Sequence, residues 1–125
     1  MADAFAPLLM PGLFQIVESE ASKSFDNAYV ELRGGGFRLR VIQERGHTFA
    51  DFRPIPGNDW FDSSLVRELV DGTRSTSAEI QLPDFVDWIQ SRLVEIVRRF
   101  DTEREESTKR LLGIREDVDK KRWSP

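Results

Sequence analysis

Between residues 27 and 53 apolar and polar side chains alternate, the period of a strand with one buried face. Ala28, Val30 and Leu32 fall on one side, with Tyr29, Glu31 and Arg33 on the other. Gly34, Gly35 and Gly36 supply a first turn, because glycine tolerates the positive φ that tight turns require. Phe37, Leu39 and Val41 then alternate with Arg38, Arg40 and Ile42, and Arg45-Gly46 makes a second turn. A third strand runs from His47 to Arg53, with its faces undetermined, since Phe49 and Phe52 fall on opposite sides. The pattern predicts an antiparallel meander, apolar on one face and polar on the other.

The flanking segments read as helices and loops. Residues 1–10 are expected to form a loose N-terminal arm. Pro11 suits the first turn of a helix over 11–21, in which Phe14, Val17 and Ala21 recur at helical spacing beside Leu13 and Ile16. Ser22 to Asp26 is a polar break. Arg53-Pro54-Ile55-Pro56-Gly57-Asn58 is expected to leave the sheet as a loop, since its two prolines lack donors. Asp62 then caps a helix over 63–71 with Leu65, Val66, Leu69 and Val70 as its apolar positions, and Gly72 stops it. Residues 73–80 read as a mobile polar loop.

The clearest helix spans 83–100. It carries a broad stripe of Phe85, Trp88, Ile89, Leu93, Ile96, Val97 and Phe100, with acids in its first turn and Arg98 and Arg99 in its last. Thr102 and Glu105 form a capping-box pattern that opens a last helix over 103–122. Its stripe of Leu111, Ile114 and Val118 is narrow, so this helix either packs along the rim or offers an edge to a partner, a homodimer being one form. With no repeat or long linker, residues 1–125 read as one α+β domain. Its sheet is a three-stranded or slightly larger meander, with helices packed mainly on one face.

Composition narrows the chemistry. At 125 residues the chain can bury about two-thirds of its unfolded surface, enough for one core. There is no Cys, which removes disulfides and thiolate metal sites. The first basic residue is Lys23 and prolines break the early apolar run, so neither a secretion signal nor a membrane span is expected, and the reading is a cytoplasmic protein. The net charge of −4 is uneven, at −3 over residues 1–36 but +2 over 37–58. An acidic chain of this kind does not carry the usual footprint of a nucleic-acid binder.

Catalytic constellations are not evident. The single His47 follows a turn glycine, and one His without Cys makes a poor zinc site. The three glycines join two strands and lack the Lys-Ser/Thr of a phosphate loop. Asp59 and Asp62 flank Trp60-Phe61, while Asp117 and Asp119 point to different faces of a helix. Neither pair specifies a metal or an acid–base couple, and no cofactor is expected. Arg38, Arg40 and Tyr29 share the polar face of the sheet and could clamp a single strand of nucleic acid, although Glu31 offsets them and cross-strand pairing accounts for them more simply. The segment Ile55 to Asp62 stands out instead: Ile55, Trp60 and Phe61 beside Asp59 and Asp62 would suit a basic protein partner, since tryptophan concentrates in interface hot spots. The plainer reading is that Trp60 and Phe61 plug one end of the core, or that one of them is buried and the other exposed.

Phe25-Asp26-Asn27-Ala28-Tyr29-Val30-Glu31-Leu32, Leu39-Arg40, Arg45-Gly46 and Trp60-Phe61-Asp62 resemble a group of small uncharacterised bacterial α+β proteins. Some of these look like immunity proteins, which bind and neutralise a cognate toxin. The resemblance covers roughly residues 25–70 and implies a non-catalytic, protein-binding role, as an inhibitor or assembly component. It carries over no catalytic residue. The remaining readings are a metal-assisted hydrolase using His47 with carboxylates, and a nucleic-acid binder acting through the sheet face.

Overall fold

A computed structural model of the chain describes residues 5–9, 14–22, 27–74 and 77–123. Among these described residues five antiparallel strands lie side by side in chain order, β1 (Gln15–Ser22), β2 (Asn27–Gly34), β3 (Phe37–Glu44), β4 (His47–Pro54) and β5 (Phe61–Asp62), accompanied by four helices, α1 (Ala6–Leu9), α2 (Ser63–Asp71), α3 (Leu82–Phe100) and α4 (Arg104–Trp123). Their buried side chains join the inner face of the sheet in one apolar cluster.

The alternation read in β2 and β3 is the alternation observed. Val30, Leu32, Phe37, Leu39 and Val41 are buried on the inner face, and their neighbours lie on the opposite face, most of them half-buried or exposed and Glu31 buried there. The doubt over the third strand resolves because Phe52, with Ala50 and Pro54, points inward, whereas Phe49 points out with Asp51 and Arg53. Pro54 still belongs to β4, one residue beyond the expected end of the strand. Arg45 and Gly46, at φ 51° and 83°, form the two-residue turn whose twist suits a hairpin.

Phe37, Phe52 and Phe100 form the centre of the core. Phe52 stacks on Phe100 with 4° between planes and 6.0 Å between centroids, and Phe37 lies 5.2 Å from Phe100. Helix α3 therefore lies across the apolar face, as its stripe predicts. Its C-terminal end presses on the first hairpin: a Cβ on Gly36 would stand 2.6 Å from the Phe100 carbonyl oxygen, and one on Gly35 3.2 Å from Val97. The glycines thus serve close approach as well as turn geometry.

Two N-terminal expectations are corrected. The helix predicted over 11–21 is absent from its described part: residues 15–22 form β1, and 11–13 lie outside the described residues. Ile16 and Val17 are exposed, so their spacing was not a core stripe. A short isolated helix is marginal in water, and β2 offers this segment a full ladder of backbone partners. The register shifts between Ile16 and Glu18, a bulge of the kind that edge strands use to discourage further pairing. Residues 5–9, expected within a loose arm, instead form a helical turn that buries Phe5 and Leu8 in the core.

Later elements follow the sequence closely. Asp62 accepts hydrogen bonds from the backbone N–H groups of Ser64 and Leu65 at the start of α2, and Gly72 closes it at φ 75°. The loop after it is hooked to the sheet, since Ile80 N–H donates to the Thr48 carbonyl and Glu79 bridges to Phe49; residues 75–76 of that loop lie outside the described residues. Helix α4 starts at Arg104, one residue later than the capping-box pattern implied. It packs along the rim, with Leu111 buried and Ile114 and Val118 against the core. Gly113 meets nothing that a Cβ would touch. Gly113→Ala should therefore stabilise the protein by about 0.5–1 kcal/mol, read from the urea midpoint at unchanged slope.

Candidate functional site

The segment singled out in the sequence is divided by strand geometry. Phe61 is buried in the core, and the Asp62 carboxylate is engaged in capping α2. Ile55 is half-buried, and its carbonyl accepts a hydrogen bond from Arg104 of α4 at 2.9 Å. Asp59 is exposed. Trp60, one position from Phe61, turns to the opposite side and lies half-buried against the solvent face of the sheet. Of the five residues, Trp60 alone sits in a charged surface: the Arg40 guanidinium lies 4.2 Å from its ring centroid and that of Arg53 5.1 Å.

Register arranges this face in three rows. The first sets Tyr29 opposite Ile42 and Ile42 opposite Phe49, which is 37% exposed. The second sets Glu31 opposite Arg40 and Arg40 opposite Asp51, with 2.8 Å between Arg40 Nε and the Asp51 carboxylate. The third sets Arg33 opposite Arg38 and Arg38 opposite Arg53, three like charges side by side next to Trp60. Like charges directly opposite one another on neighbouring strands oppose folding. Glu31 relieves one of them. It is only 7% exposed, and it accepts from Arg38 and from the Tyr29 hydroxyl, each at 3.1 Å. Arg33 and Arg53 form no ion pair among the described residues, and the Arg53 Nε is buried without a hydrogen-bond partner.

Sequence reading placed Tyr29, Glu31, Arg33, Arg38, Arg40 and Ile42 on this face but, with the faces of the third strand undetermined, did not assign Phe49 and Arg53 to it. The two-residue turn at Arg45-Gly46 holds the missing signal, because counting outward from it sets Arg38 opposite Arg53 and Ile42 opposite Phe49.

The other candidates stand apart from this face. His47 lies at the start of β4, exposed, with Nδ1 2.9 Å from the Glu79 carboxylate. Among the described residues no group of three His, Asp or Glu side chains could hold a metal ion, and no helix is long and apolar enough to cross a membrane. Asp117 belongs to a structural clamp. Arg74, beyond α2, donates to Asp117 of α4 at 2.7 Å and also binds Glu68. The hydrogen bond from Arg74, helped by the charge of Lys121, holds the Asp117 carboxyl below the usual aspartate range. A lowered folded-state value means that Asp117 stabilises the fold above the unfolded aspartate range and loses that contribution as pH falls through its own. Arg74→Ala should return the Asp117 midpoint upward in an NMR titration and flatten the acid limb of stability below about pH 4.

Comparison with protein-family models, curated proteins and solved structures gave no significant match to this chain.

Proposed function

We propose that this chain is a non-catalytic binding domain that captures a protein partner on the solvent face of its sheet, with Trp60 at the centre of the contact. The observation that carries this reading is the half-buried Trp60 on the solvent face, set between two guanidinium groups and beside the Arg33–Arg38–Arg53 row. Interfaces concentrate their energy in tryptophan and arginine held in place before the partner arrives. An immunity-type inhibitor of a toxin is the particular form that the resemblance supports, and an assembly component is the alternative within the same reading.

The test begins with a partner purified from the native host on the tagged full chain, its affinity then measured by calorimetry. Trp60→Ala should weaken binding at least tenfold, the minimum for a hot-spot residue, while circular dichroism shows the fold retained. Val94→Ala, at a side chain 86% exposed on α3, should leave binding unchanged. Equal affinity of wild type and Trp60→Ala would remove the sheet face from the interaction.

A further inference from the structure

We infer that a second site takes a small zwitterion of the free α-amino-acid class, its carboxylate held by Arg67 and Ser63 and its ammonium by Asp84. The site is a cavity of about 220 Å³ where the start of α2, the segment 77–81 and the start of α3 meet. Ser63, Ser64, Arg67, Glu79, Gln81 and Asp84 line it, and neither Trp60 nor the arginine row of the sheet does.

Arg67 and Asp84 carry opposite charges into one cavity, yet neither forms an ion pair with the other or with any other described residue. Opposite charges that share a cavity and stay apart are bridged by a ligand that bears both. Arg67 is fixed before any ligand arrives. Its guanidinium lies 4.9 Å from the Trp88 ring centroid, and the Trp88 indole N–H donates to Asp71 at 2.8 Å. Its Nε is buried without a hydrogen-bond partner, a position that native structures seldom leave unexplained. The planar fork of a guanidinium matches a carboxylate with two parallel hydrogen bonds. Ser63 stands four residues before Arg67 on α2, hence on the same face of the helix. It is only 2% exposed, forms no side-chain hydrogen bond among the described residues and lines the cavity, so its hydroxyl is free to donate to the same carboxylate. Asp84 comes from the first turn of α3, whose N-cap residue Gln81 makes no side-chain capping bond. Glu79, the other carboxylate of the lining, lies 2.9 Å from His47 Nδ1 and adds to the negative side. One cation against two carboxylates disfavours a simple anion such as phosphate, whereas the ammonium of a zwitterion answers the carboxylates. The volume holds about seven waters, which matches the bulk of a small amino acid. A few converging polar groups in a cavity are also the usual make-up of a small-ligand site.

The experiment titrates the isotope-labelled full chain with L-alanine, L-serine and L-leucine, each also as its N-acetyl form, which lacks the ammonium, and as its amide, which lacks the carboxylate. At least one free amino acid should bind saturably with Kd below about 1 mM and move the backbone signals of Ser63, Ser64, Gln81 and Asp84. Both of its blocked forms should bind at least tenfold more weakly. Arg67→Gln should lower the affinity for the free amino acid to that for its amide and leave the amide's own affinity unchanged. Asp84→Asn should lower it to that of the N-acetyl form and leave that form unchanged. Circular dichroism should show both variants folded. Absence of saturable binding by all three free amino acids overturns the inference, as does a blocked form that binds as tightly as the free one. Equal weakening of all forms by either variant removes that residue from the role assigned to it and overturns the site as described. The sheet-face contact stands or falls separately, on Trp60→Ala and the protein partner.

Discussion

Gly36→Ala should destabilise the protein by about 3 kcal/mol, while Gly46→Ala costs about 1 kcal/mol. Both glycines sit at positive φ, 80° and 83°, where an L side chain is strained by about 1–2 kcal/mol. The difference lies in what surrounds them. A Cβ on Gly46 meets nothing within 4 Å, whereas one on Gly36 would stand 2.6 Å from the carbonyl oxygen of Phe100. That oxygen belongs to the backbone at the end of α3, so no rotamer change relieves the clash; the hairpin and the helix must separate, which adds a further 1–3 kcal/mol of overpacking. Urea denaturation of the two variants at matched slopes measures the contrast. Equal losses would mean that the helix end does not rest on the hairpin as described.

The second large effect is in the phenylalanine cluster. Phe52→Ala should cost about 3–5 kcal/mol, enough to leave a domain of this size marginal. Phe52 is fully buried and its ring meets those of Phe37, Phe85 and Phe100 at centroid distances of 5.6, 6.2 and 6.0 Å, so truncation leaves a void lined by three rings that backbone elements hold apart. Phe49→Ala, three residues earlier on the same strand, should change stability by less than about 1 kcal/mol, because its ring lies on the solvent face. Thermal unfolding of the pair reads the difference directly. A Phe49→Ala loss as large as that of Phe52→Ala would contradict the assignment of faces in β4.

These two phenylalanines also show where sequence reading stops. Strand alternation, two glycine turns, the Asp62 cap, the Gly72 stop and the stripe of α3 are local signals, and each placed its element within a residue or two. Phe49 and Phe52 cannot share a face, so composition alone left β4 unassigned and with it Arg53, which completes the arginine row. An exposed aromatic is no violation of the hydrophobic rule, which constrains what is buried more than what is exposed. Segment 15–22 was misread for a different reason. Its partner is the backbone of β2, and backbone pairing leaves no mark in side-chain spacing when the strand lies at an edge. For Trp60 and Phe61 the sequence left open whether both plug the core or one is buried and the other exposed, because β5 holds only Phe61 and Asp62 and is too short to display a period.

The order of the sheet has a consequence for how the chain reaches this structure. Every strand pairs with its neighbour in sequence, and two of the turns hold two residues each, at 35–36 and 45–46. Little loop-closure entropy opposes the β2–β3–β4 meander, so it is available early in folding. Alone, however, it would leave Phe37, Leu39 and Phe52 exposed to water, and burying those side chains is favourable. Helix α3 covers that face, with Phe100 packed against Phe37 and Phe52 and its carbonyl over Gly36. The hairpin turn that makes the meander easy to form is thus also the latch that commits it to a single native packing.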